Sequence, residues 1–343
     1  MKAALIIFSA LHRLVTGLKN ALYEWGWMRP RRAPLPVISV GSLALGGMGK
    51  TPLAMEILGY ISSRGLRPAL VARGYKGSWE QKGGMLSDGR GIYGNWRQSG
   101  DEAYLAAQRF PQAGVFVGKR RLRSCLRAKS EGFDLAVLDD GFQHRKLVRD
   151  LDIVIFDPAE KTALREPFSG LKRAHLILLP DSARERTRQK ISKGSPAARV
   201  VRFSIMPKAF HRVGESGPEE TVDLGRFRGR RVLAFCGIAR PDRFFAMLES
   251  LGLGLLDRMA FSDHHSYPPA SWRRIWGRVE ALKPEAVITT EKDAIKLLHR
   301  EDRNVGPGSP ETAAPIWALR IEPLLPPEFY RVLDSVLAAK GKA

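Results

Sequence analysis

Short runs of apolar residues alternate along the chain with longer segments in which apolar residues recur every three or four positions. Apolar runs of four or five residues predict buried strands, and the periodic segments predict helices that cover them. In the first half these runs lie at 36–40, 69–72, 114–117, 135–138, 153–156 and 176–179. The alternation predicts an α/β protein with a mostly parallel sheet and helices on both faces.

A second series of apolar runs follows a polar, basic segment at 181–198. These runs lie at 200–203, 232–236, 286–289 and 316–319, and Pro241 begins a helical pattern between them. Proline is favoured in the first turn of a helix, which supports that start. We therefore expect a nucleotide-binding domain at 33–198 and a smaller second α/β lobe at 199–343, with a cleft between them.

The N-terminal segment 1–32 has the pattern of an amphipathic helix. Its apolar positions are Ile7, Leu11, Leu14, Val15, Leu18, Leu22 and Trp25, and Trp27 and a cluster of arginines follow. The first apolar run is too short to span a bilayer and lacks a signal-peptide cleavage site after it. A basic amphipathic helix that ends in tryptophans favours contact with a membrane interface. The alternative is a helix that packs on the protein's own core.

Composition narrows the classes of partner. The chain has 343 residues, 44% of them hydrophobic, and 56 lysines and arginines against 35 acidic residues, for a net charge of +21. This excess favours anionic partners, namely nucleic acid, acidic lipid or a phosphorylated substrate. The two cysteines, Cys125 and Cys236, lack metal-type spacing and fit a reducing compartment.

A glycine-rich segment, Gly46-Gly47-Met48-Gly49-Lys50-Thr51-Pro52, lies between the first apolar run and a helical pattern. This context is typical of a phosphate-binding loop, because glycines let backbone N–H groups converge on a polyphosphate. In such a loop Lys50 reaches the terminal phosphates and the Thr51 hydroxyl holds Mg²⁺. Ala44 stands where the usual spacing has glycine, so an ordinary glycine-rich turn is the alternative.

Two adjacent carboxylates, Asp139 and Asp140, follow the apolar run at 135–138. The C-terminal ends of strands are where α/β folds bind ligands, and a phosphate-binding loop requires an acidic residue that holds Mg²⁺. Adjacent charges after a buried strand are costly without a cation, so the pair predicts a metal site. A turn or strand-terminal cap is the alternative.

Two further clusters carry candidate chemistry. Gly100-Asp101-Glu102 precedes a helical pattern, where carboxylates are often simple partners of the helix dipole. Asp263-His264-His265 contains metal-ligand residue types, but no third cluster has the spacing of a metal site. One of the histidines could instead orient a carboxylate or a phosphate.

Six motifs, taken together and in order, resemble the tetraacyldisaccharide 4′-kinase family. They are Gly-Gly-x-Gly-Lys-Thr-Pro (46–52), Gly-Asp-Glu (100–102), Asp-Asp-Gly-Phe-Gln-His-Arg-Lys-Leu-x-Arg-Asp (139–150), Leu-Arg-Glu-Pro (164–167), Asp-His-His-x-Tyr (263–267) and Thr-Glu-Lys-Asp-Ala (290–294). The run at 139–144 is the most specific of them. The order and spacing cover roughly residues 35–325, and the resemblance implies the fold of a P-loop nucleoside triphosphatase.

The resemblance implies a role for each matching residue. Asp101 matches the family's catalytic base and His264 its partner, with Lys50 and Arg121 as further catalytic residues. Asp139, Asp140 and Thr51 match the metal site. Other candidates match with less defined roles: Glu102, Gln143, Arg165, Glu166 and Asp263. The sequence departs from the common pattern at Ala44, Met48 and Ala103, none of which removes a phosphate, metal or base group.

The resemblance further implies phosphorylation of the 4′-hydroxyl of a tetraacylated glucosamine disaccharide 1-phosphate, a lipid A precursor, with ATP and Mg²⁺. The expected partners are this acylated lipid and an anionic membrane surface, and the expected location is the cytoplasmic face of the inner membrane, held peripherally. No nucleic acid is expected because no nucleic-acid-binding module is evident, and no feature points to a protein partner. Two rival functions remain. A nucleic-acid-binding ATPase is favoured only by the net charge. A P-loop GTPase or regulatory switch is disfavoured, because Thr290-Glu291-Lys292-Asp293 lacks the residue between lysine and aspartate that a guanine-binding motif has.

Overall fold

The structure is a computed structural model that describes residues 16–18, 20–44, 46, 49–158, 164–214, 218–298 and 314–340. The apolar positions 7, 11, 14 and 15 of the predicted N-terminal helix lie outside the described residues, as do Gly47 and Met48 of the predicted phosphate-binding loop. Residues 16–18 and 20–24 are helical, as the pattern predicted for this segment.

The described strands are β1 (Val37–Ser42), β2 (Pro68–Ala72), β3 (Gly84–Asp88), β4 (Gly114–Val117), β5 (Leu135–Leu138), β6 (Leu151–Ile155), β7 (Leu176–Pro180), β8 (Arg199–Val213), β9 (Pro218–Val222), β10 (Arg231–Cys236), β11 (Gly254–Ala260), β12 (Ala286–Thr290) and β13 (Ile316–Leu324). The described α-helices outside the N-terminal segment are α1 (Lys50–Ser63), α2 (Trp79–Lys82), α3 (Trp96–Ser99), α4 (Asp101–Arg109), α5 (Arg121–Ser130), α6 (Glu185–Gly194), α7 (Pro241–Ser250), α8 (Pro269–Leu282), α9 (Glu291–Ala294) and α10 (Pro327–Lys340). Short 3₁₀ helices lie at Phe168–Arg173, Leu224–Phe227 and Ile295–Leu297.

All described strands join one sheet, with the order β11-β10-β12-β13-β8-β7-β6-β1-β5-β2-β4-β3 and with β9 paired to β8. The pairs β3–β4, β8–β13 and β8–β9 are antiparallel, and the other pairs are parallel. Apolar clusters lie on both faces of the sheet under the helices. The prediction of a mostly parallel α/β sheet is confirmed.

Strand β8 connects the two halves of the sheet. Its residues 199–203 pair in parallel with β7, and its residues 204–212 pair antiparallel with β13. The predicted boundary after residue 198 coincides with the start of this strand, although the apolar run indicated only residues 200–203. The division into domains at 33–198 and 199–343 stays a prediction, since a single sheet passes through the boundary.

Strands β3, β9 and β11 were not predicted. Both β3 and β11 lie at the outer edges of the sheet. β11 has exposed residues at both ends and one buried residue, Met259, so it lacks the continuous run of buried apolar residues that marks a central strand.

Gly41, in β1, lies against the chain that follows the two aspartates. A Cβ atom at this position would lie 2.4 Å from Phe142 Cβ and 2.9 Å from the Phe142 backbone nitrogen. The Gly141 nitrogen donates to the Val40 carbonyl at 2.9 Å, which holds the turn against β1. The absence of a side chain at Gly41 is therefore what lets the Asp139–Asp140 turn approach the strand.

We expect Gly41→Ala to lower the free energy of unfolding by about 1–3 kcal/mol, because the added methyl group overpacks a buried contact with backbone atoms. It should also reduce turnover, since the displaced turn carries both aspartates. Thermal denaturation and an assay of the expected phosphoryl transfer measure the two effects. Gly225→Ala is the control, because an added Cβ there meets no atom within 4 Å. Equal stability of the two variants would contradict the prediction.

Candidate active site

The predicted phosphate-binding loop connects β1 to α1. Gly49 precedes the helix with φ 84°, in the left-handed region, and an added Cβ would lie 2.8 Å from Ile205 Cδ1. Lys50 begins α1, and its Nζ lies 3.2 Å from the Gly46 carbonyl oxygen and 3.7 Å from Asp140 Oδ1. The backbone N–H groups at the start of α1 have no intrahelical partner, which is the arrangement that binds an anion.

The two aspartates directly follow β5, as predicted. The Thr51 hydroxyl donates to Asp139 Oδ2 at 2.9 Å. Arg165 donates from Nη1 to Asp140 Oδ2 at 2.5 Å. Asp140 has φ 53°, which turns the chain sharply after the strand and brings its carboxylate to the Lys50 side.

The surroundings of the two aspartates shift their pKa values in opposite directions. Burial raises the pKa of Asp139, and the nearby carboxylates of Glu102 and Asp140 raise it further. Burial also acts to raise the pKa of Asp140, but Lys50 and Arg165 outweigh it and hold that pKa below its usual value. The charge of Lys50 and the hydrogen bond from Thr51 oppose the rise in the pKa of Asp139 only in part.

One oxygen of each aspartate is left without a donor. Oδ1 of Asp139 and Oδ1 of Asp140 are buried, and neither accepts a hydrogen bond from any residue that the structure describes. Two carboxylate oxygens beside the Thr51 hydroxyl form a donor set of the kind that Mg²⁺ prefers. The residues present therefore fit a magnesium ion at this position.

Asp101 and His264 lie in contact although 163 positions separate them. Asp101 is the first residue of α4, and His264 lies in the loop after β11. His264 Nδ1 lies 3.1 Å from Asp101 Oδ1 and 2.9 Å from Oδ2. The His264 backbone nitrogen donates to the Gly237 carbonyl at 3.0 Å, which fixes the loop with φ 59° at His264.

Two lysines that the sequence reasoning did not select complete this cluster. Lys292 Nζ lies 3.3 Å from His264 Nε2, 3.1 Å from Glu102 Oε1 and 3.9 Å from Asp101 Oδ2. Lys296 Nζ lies 3.4 Å from Asp101 Oδ2. Both follow β12, and the motif Thr-Glu-Lys-Asp-Ala (290–294) was the signal that could have identified this strand end as part of the site.

The charge of Asp101 follows from these neighbours. Burial would raise its pKa, but the hydrogen bond from His264 and the charges of Lys292 and Lys296 hold the pKa of this carboxyl well below its usual range. Asp101 is therefore an ionised carboxylate in a pocket of cations, although only 5% of the residue is exposed.

The other two members of the Asp263-His264-His265 cluster have different partners from each other. Asp263 Oδ2 lies 3.8 Å from His264 Nε2, whereas His265 Nε2 lies 2.7 Å from the Ser271 hydroxyl. Among the described residues no group of three histidine, cysteine or acidic side chains is arranged to hold a metal ion. The alternative of a metal site on these histidines therefore has no support.

Glu166 anchors a second network beside the loop. Only 1% of the residue is exposed, and its carboxylate accepts from Gln143 Nε2 at 2.8 Å, Arg173 Nη2 at 2.9 Å and Asn20 Nδ2 at 3.0 Å. Gln143 also donates to the Ser42 carbonyl at 2.9 Å. The network connects the N-terminal helical segment to the end of β1, so Gln143 and Glu166 lie behind the phosphate-binding loop.

Arg121 is buried behind the aspartates. Its Nη1 donates to the Gly118 carbonyl at 2.6 Å and its Nη2 to the Asp139 carbonyl at 3.4 Å. Burial lowers its pKa to about 10, and the negative charges of Asp139 and Asp140 oppose that effect. In this structure its guanidinium supports the backbone that carries Asp139.

A sequence profile of the tetraacyldisaccharide-1-P 4′-kinase family (LpxK) matches residues 1–338. The chain belongs to this family. The tetraacyldisaccharide 4′-kinase of Pelobacter propionicus is 37% identical over 306 residues, which are 86% of this chain and 82% of that protein. The enzyme of Syntrophus aciditrophicus is 33% identical over 318 residues, covering 86% of this chain and 84% of its own length.

A solved structure of LpxK from Aquifex aeolicus in complex with ATP has the same fold. It is 26% identical, aligns with a TM-score of 0.74 and is covered over 98% of both chains. The predicted family, the P-loop-type fold and the activity are therefore confirmed, and the chain is a kinase that phosphorylates the lipid A precursor. No helix within the described residues is both long and apolar enough to cross a membrane.

Proposed function

We propose that this kinase transfers the γ-phosphoryl group of ATP, bound with Mg²⁺, to the 4′-hydroxyl of a tetraacylated glucosamine disaccharide 1-phosphate at the cytoplasmic face of the inner membrane. The product is the corresponding 1,4′-bisphosphate. The observation that carries the assignment of the reacting groups is the Asp101–His264 pair, whose neighbour Glu102 acts electrostatically on Asp139.

The glycine-rich loop holds the triphosphate. Gly46, Gly49 and the first residues of α1 offer backbone N–H groups, and the Lys50 ammonium neutralises the transferring phosphate. Thr51, Asp139 and Asp140 would hold Mg²⁺, which would supply positive charge to the triphosphate. Arg165 keeps the Asp140 carboxylate in place through its 2.5 Å hydrogen bond. Lys50 and the metal site together stabilise charge in the transition state.

Asp101 is the base for the acceptor hydroxyl. As the new O–P bond forms and the bond from the γ-phosphorus to the leaving oxygen of ADP breaks, the hydroxyl proton passes to the Asp101 carboxylate. His264, hydrogen-bonded to that carboxylate, fixes its orientation and shares the proton afterwards. Asp101 is ionised at neutral pH because cations surround it, so it is ready to accept the proton.

The remaining candidates act around these groups. Glu102 and Asp263 place negative charge beside Lys292 and His264, at 3.1 Å and 3.8 Å respectively. Gln143 and Glu166 hold the end of β1 against the N-terminal segment. These contacts maintain the geometry of the site.

The N-terminal segment contacts the membrane peripherally. Trp25 and Trp27 are 66% and 80% exposed, and Arg29, Arg31 and Arg32 follow them. Exposed tryptophans beside basic residues suit the interface of an anionic bilayer. Asn20 contacts the Glu166 network, so the segment that meets the lipid is joined to the site that phosphorylates it.

We expect Asp101→Ala to lower kcat by about 10²-fold or more with little change in KM for ATP, because the lost group acts on the acceptor in the transition state. His264→Ala should act in the same direction, and the double variant should lose much less than the product of the two single losses. Steady-state kinetics on detergent-dispersed substrate measure this. His265→Gln is the matched control and should retain turnover. Independent, fully multiplicative losses would contradict a shared role.

Removing the charge of either Asp139 or Asp140 should weaken the binding of Mg²⁺. Asp139→Asn and Asp140→Asn should each lower turnover by at least about tenfold and raise the Mg²⁺ concentration that gives half-maximal rate. Magnesium titration of the rate provides the measurement, and Asp334→Asn, on the distant helix α10, is the control. An unchanged magnesium dependence in both aspartate variants would mean that the pair only forms a turn.

The membrane contact is tested by the double variant Trp25→Ser/Trp27→Ser in the full chain. We expect it to bind phosphatidylglycerol-containing vesicles roughly tenfold more weakly, an effect of about 1.4 kcal/mol, because two interfacial side chains are lost. Binding of the unaltered protein should weaken in high salt, since screening removes the contribution of the arginines. Leu324→Ser, at a residue that is 62% exposed on β13, is the control. Equal sedimentation of both variants with vesicles would overturn the assignment.

A further inference from the structure

Lys296 is a buried cation beside the base. Only 1% of its side chain is exposed, and its Nζ lies 3.4 Å from Asp101 Oδ2 and 3.3 Å from Asp293 Oδ1. A buried ammonium is costly unless it is paired. Here its two partners lie on helices that belong to different halves of the fold, Asp101 on α4 and Asp293 on α9. Lys296 thus joins the start of α4 to the segment that follows β12.

Asp293 is fully buried, and it accepts hydrogen bonds in addition to its ion pair with Lys296. Its Oδ2 accepts from the Gly237 backbone nitrogen at 3.0 Å and from the Thr290 hydroxyl at 2.7 Å. The Gly237 carbonyl in turn accepts from the His264 backbone nitrogen at 3.0 Å. One side of the Lys296–Asp293 pair therefore reaches the Asp101 carboxylate, and the other side reaches the loop that carries His264.

We propose that the Lys296–Asp293 ion pair is a positioning unit for the catalytic base, which fixes Asp101 in one orientation and keeps it ionised below neutral pH. Lys296 touches neither substrate in this scheme and acts only through Asp101. The proposal rests on the proposed function, since it takes Asp101 as the base. It adds a specific role for the Lys-Asp-x-x-Lys segment at 292–296.

Charged or titratable groups from three segments surround Asp101. The loop after β11 supplies His264 with Asp263 beside it, α9 supplies Lys292 and Asp293, and α4 itself supplies Glu102. Tyr267, whose ring centroid lies 5.8 Å from Lys296 Nζ, covers the ammonium.

Lys292 differs from Lys296 in exposure and in partners. Its side chain is 21% exposed, and its charge is shared with Glu102. Lys296 lies deeper, so water screens its interaction with Asp101 less. Both lysines lower the pKa of Asp101, and Lys296 does so from the more deeply buried position.

The geometry determines the direction in which loss of the Lys296 charge shifts the pKa of Asp101. Removing a positive charge 3.4 Å from a carboxylate raises the pKa of that carboxylate. The base is active when ionised, so the acidic limb of the kcat/KM profile must move to higher pH. A residue that only supports the fold would lower stability or turnover without moving this limb.

The experiment is the pH profile of kcat/KM for the neutral variants Lys296→Met and Lys296→Gln, for the charge-retaining Lys296→Arg and for Lys190→Met. Lys190 is exposed on α6 and serves as the control for loss of a lysine. We expect the acidic limb of both neutral variants to rise by about one pH unit or more and kcat to fall about tenfold. Lys296→Arg should retain the acidic limb of the unaltered protein, with a smaller loss of kcat. Melting temperature and ATP binding report whether each variant is folded.

An acidic limb that stays in place in a folded neutral variant would overturn the proposal, as would a shift of the same size in Lys296→Arg. If Lys296→Met does not fold, Lys296→Gln and Lys296→Arg still give the comparison, because both can hydrogen-bond to the two carboxylates. The variant Asp101→Ala separates a failure of the proposed function from a failure of the role of Lys296. Normal turnover of Asp101→Ala would reject Asp101 as the base, whereas its loss together with an unmoved limb in Lys296→Gln rejects only the role of Lys296.

Discussion

The electrostatic balance of buried carboxylates determines how this site is built. Asp101, Asp139 and Asp140 gather at the C-terminal ends of strands, where burial makes each charge costly, and the partly exposed Glu102 lies beside them. Lysines and arginines from several elements balance three of them. Asp139 is left with a raised pKa and an oxygen without a donor, which is the deficit that a divalent cation would fill. The charged groups depend on one another, because removing one of them leaves its partner buried and unpaired.

The continuous sheet explains how groups far apart in sequence come together. β8 pairs with β7 on one side and with β13 on the other, so the strand ends of both halves face one region. Ion pairs reinforce the junction: Glu291 lies 2.8 Å from Arg320 on β13 and 3.6 Å from Arg109 on α4. Asp101 and His264 therefore meet across elements that the chain order separates, and the pair depends on how the halves are packed.

Much of the first half of the fold could be predicted because its strands are buried on both faces. The runs at 114–117 and 135–138 match β4 and β5 residue for residue, and the turn to α1 follows from the glycines before Lys50. The edge strands β3 and β11 could not be recognised, because one face of an edge strand meets solvent or loops and its apolar pattern is interrupted. β8 was recognised only at residues 200–203, because in the rest of this strand Pro207 and polar residues interrupt the apolar pattern, and buried and exposed positions are mixed.

The sequence by itself determined the phosphate-binding loop, the aspartates after β5 and the family, because each of these is encoded by neighbouring residues in one segment. It also identified Asp101 and His264 as candidates through short motifs. Only the tertiary structure decided that these two side chains are in contact, that Lys292 and Lys296 surround them, and that Arg121 supports the backbone of Asp139. The physical reason is that burial and charge pairing depend on distances between segments far apart in the chain, and a linear pattern carries no information about those distances.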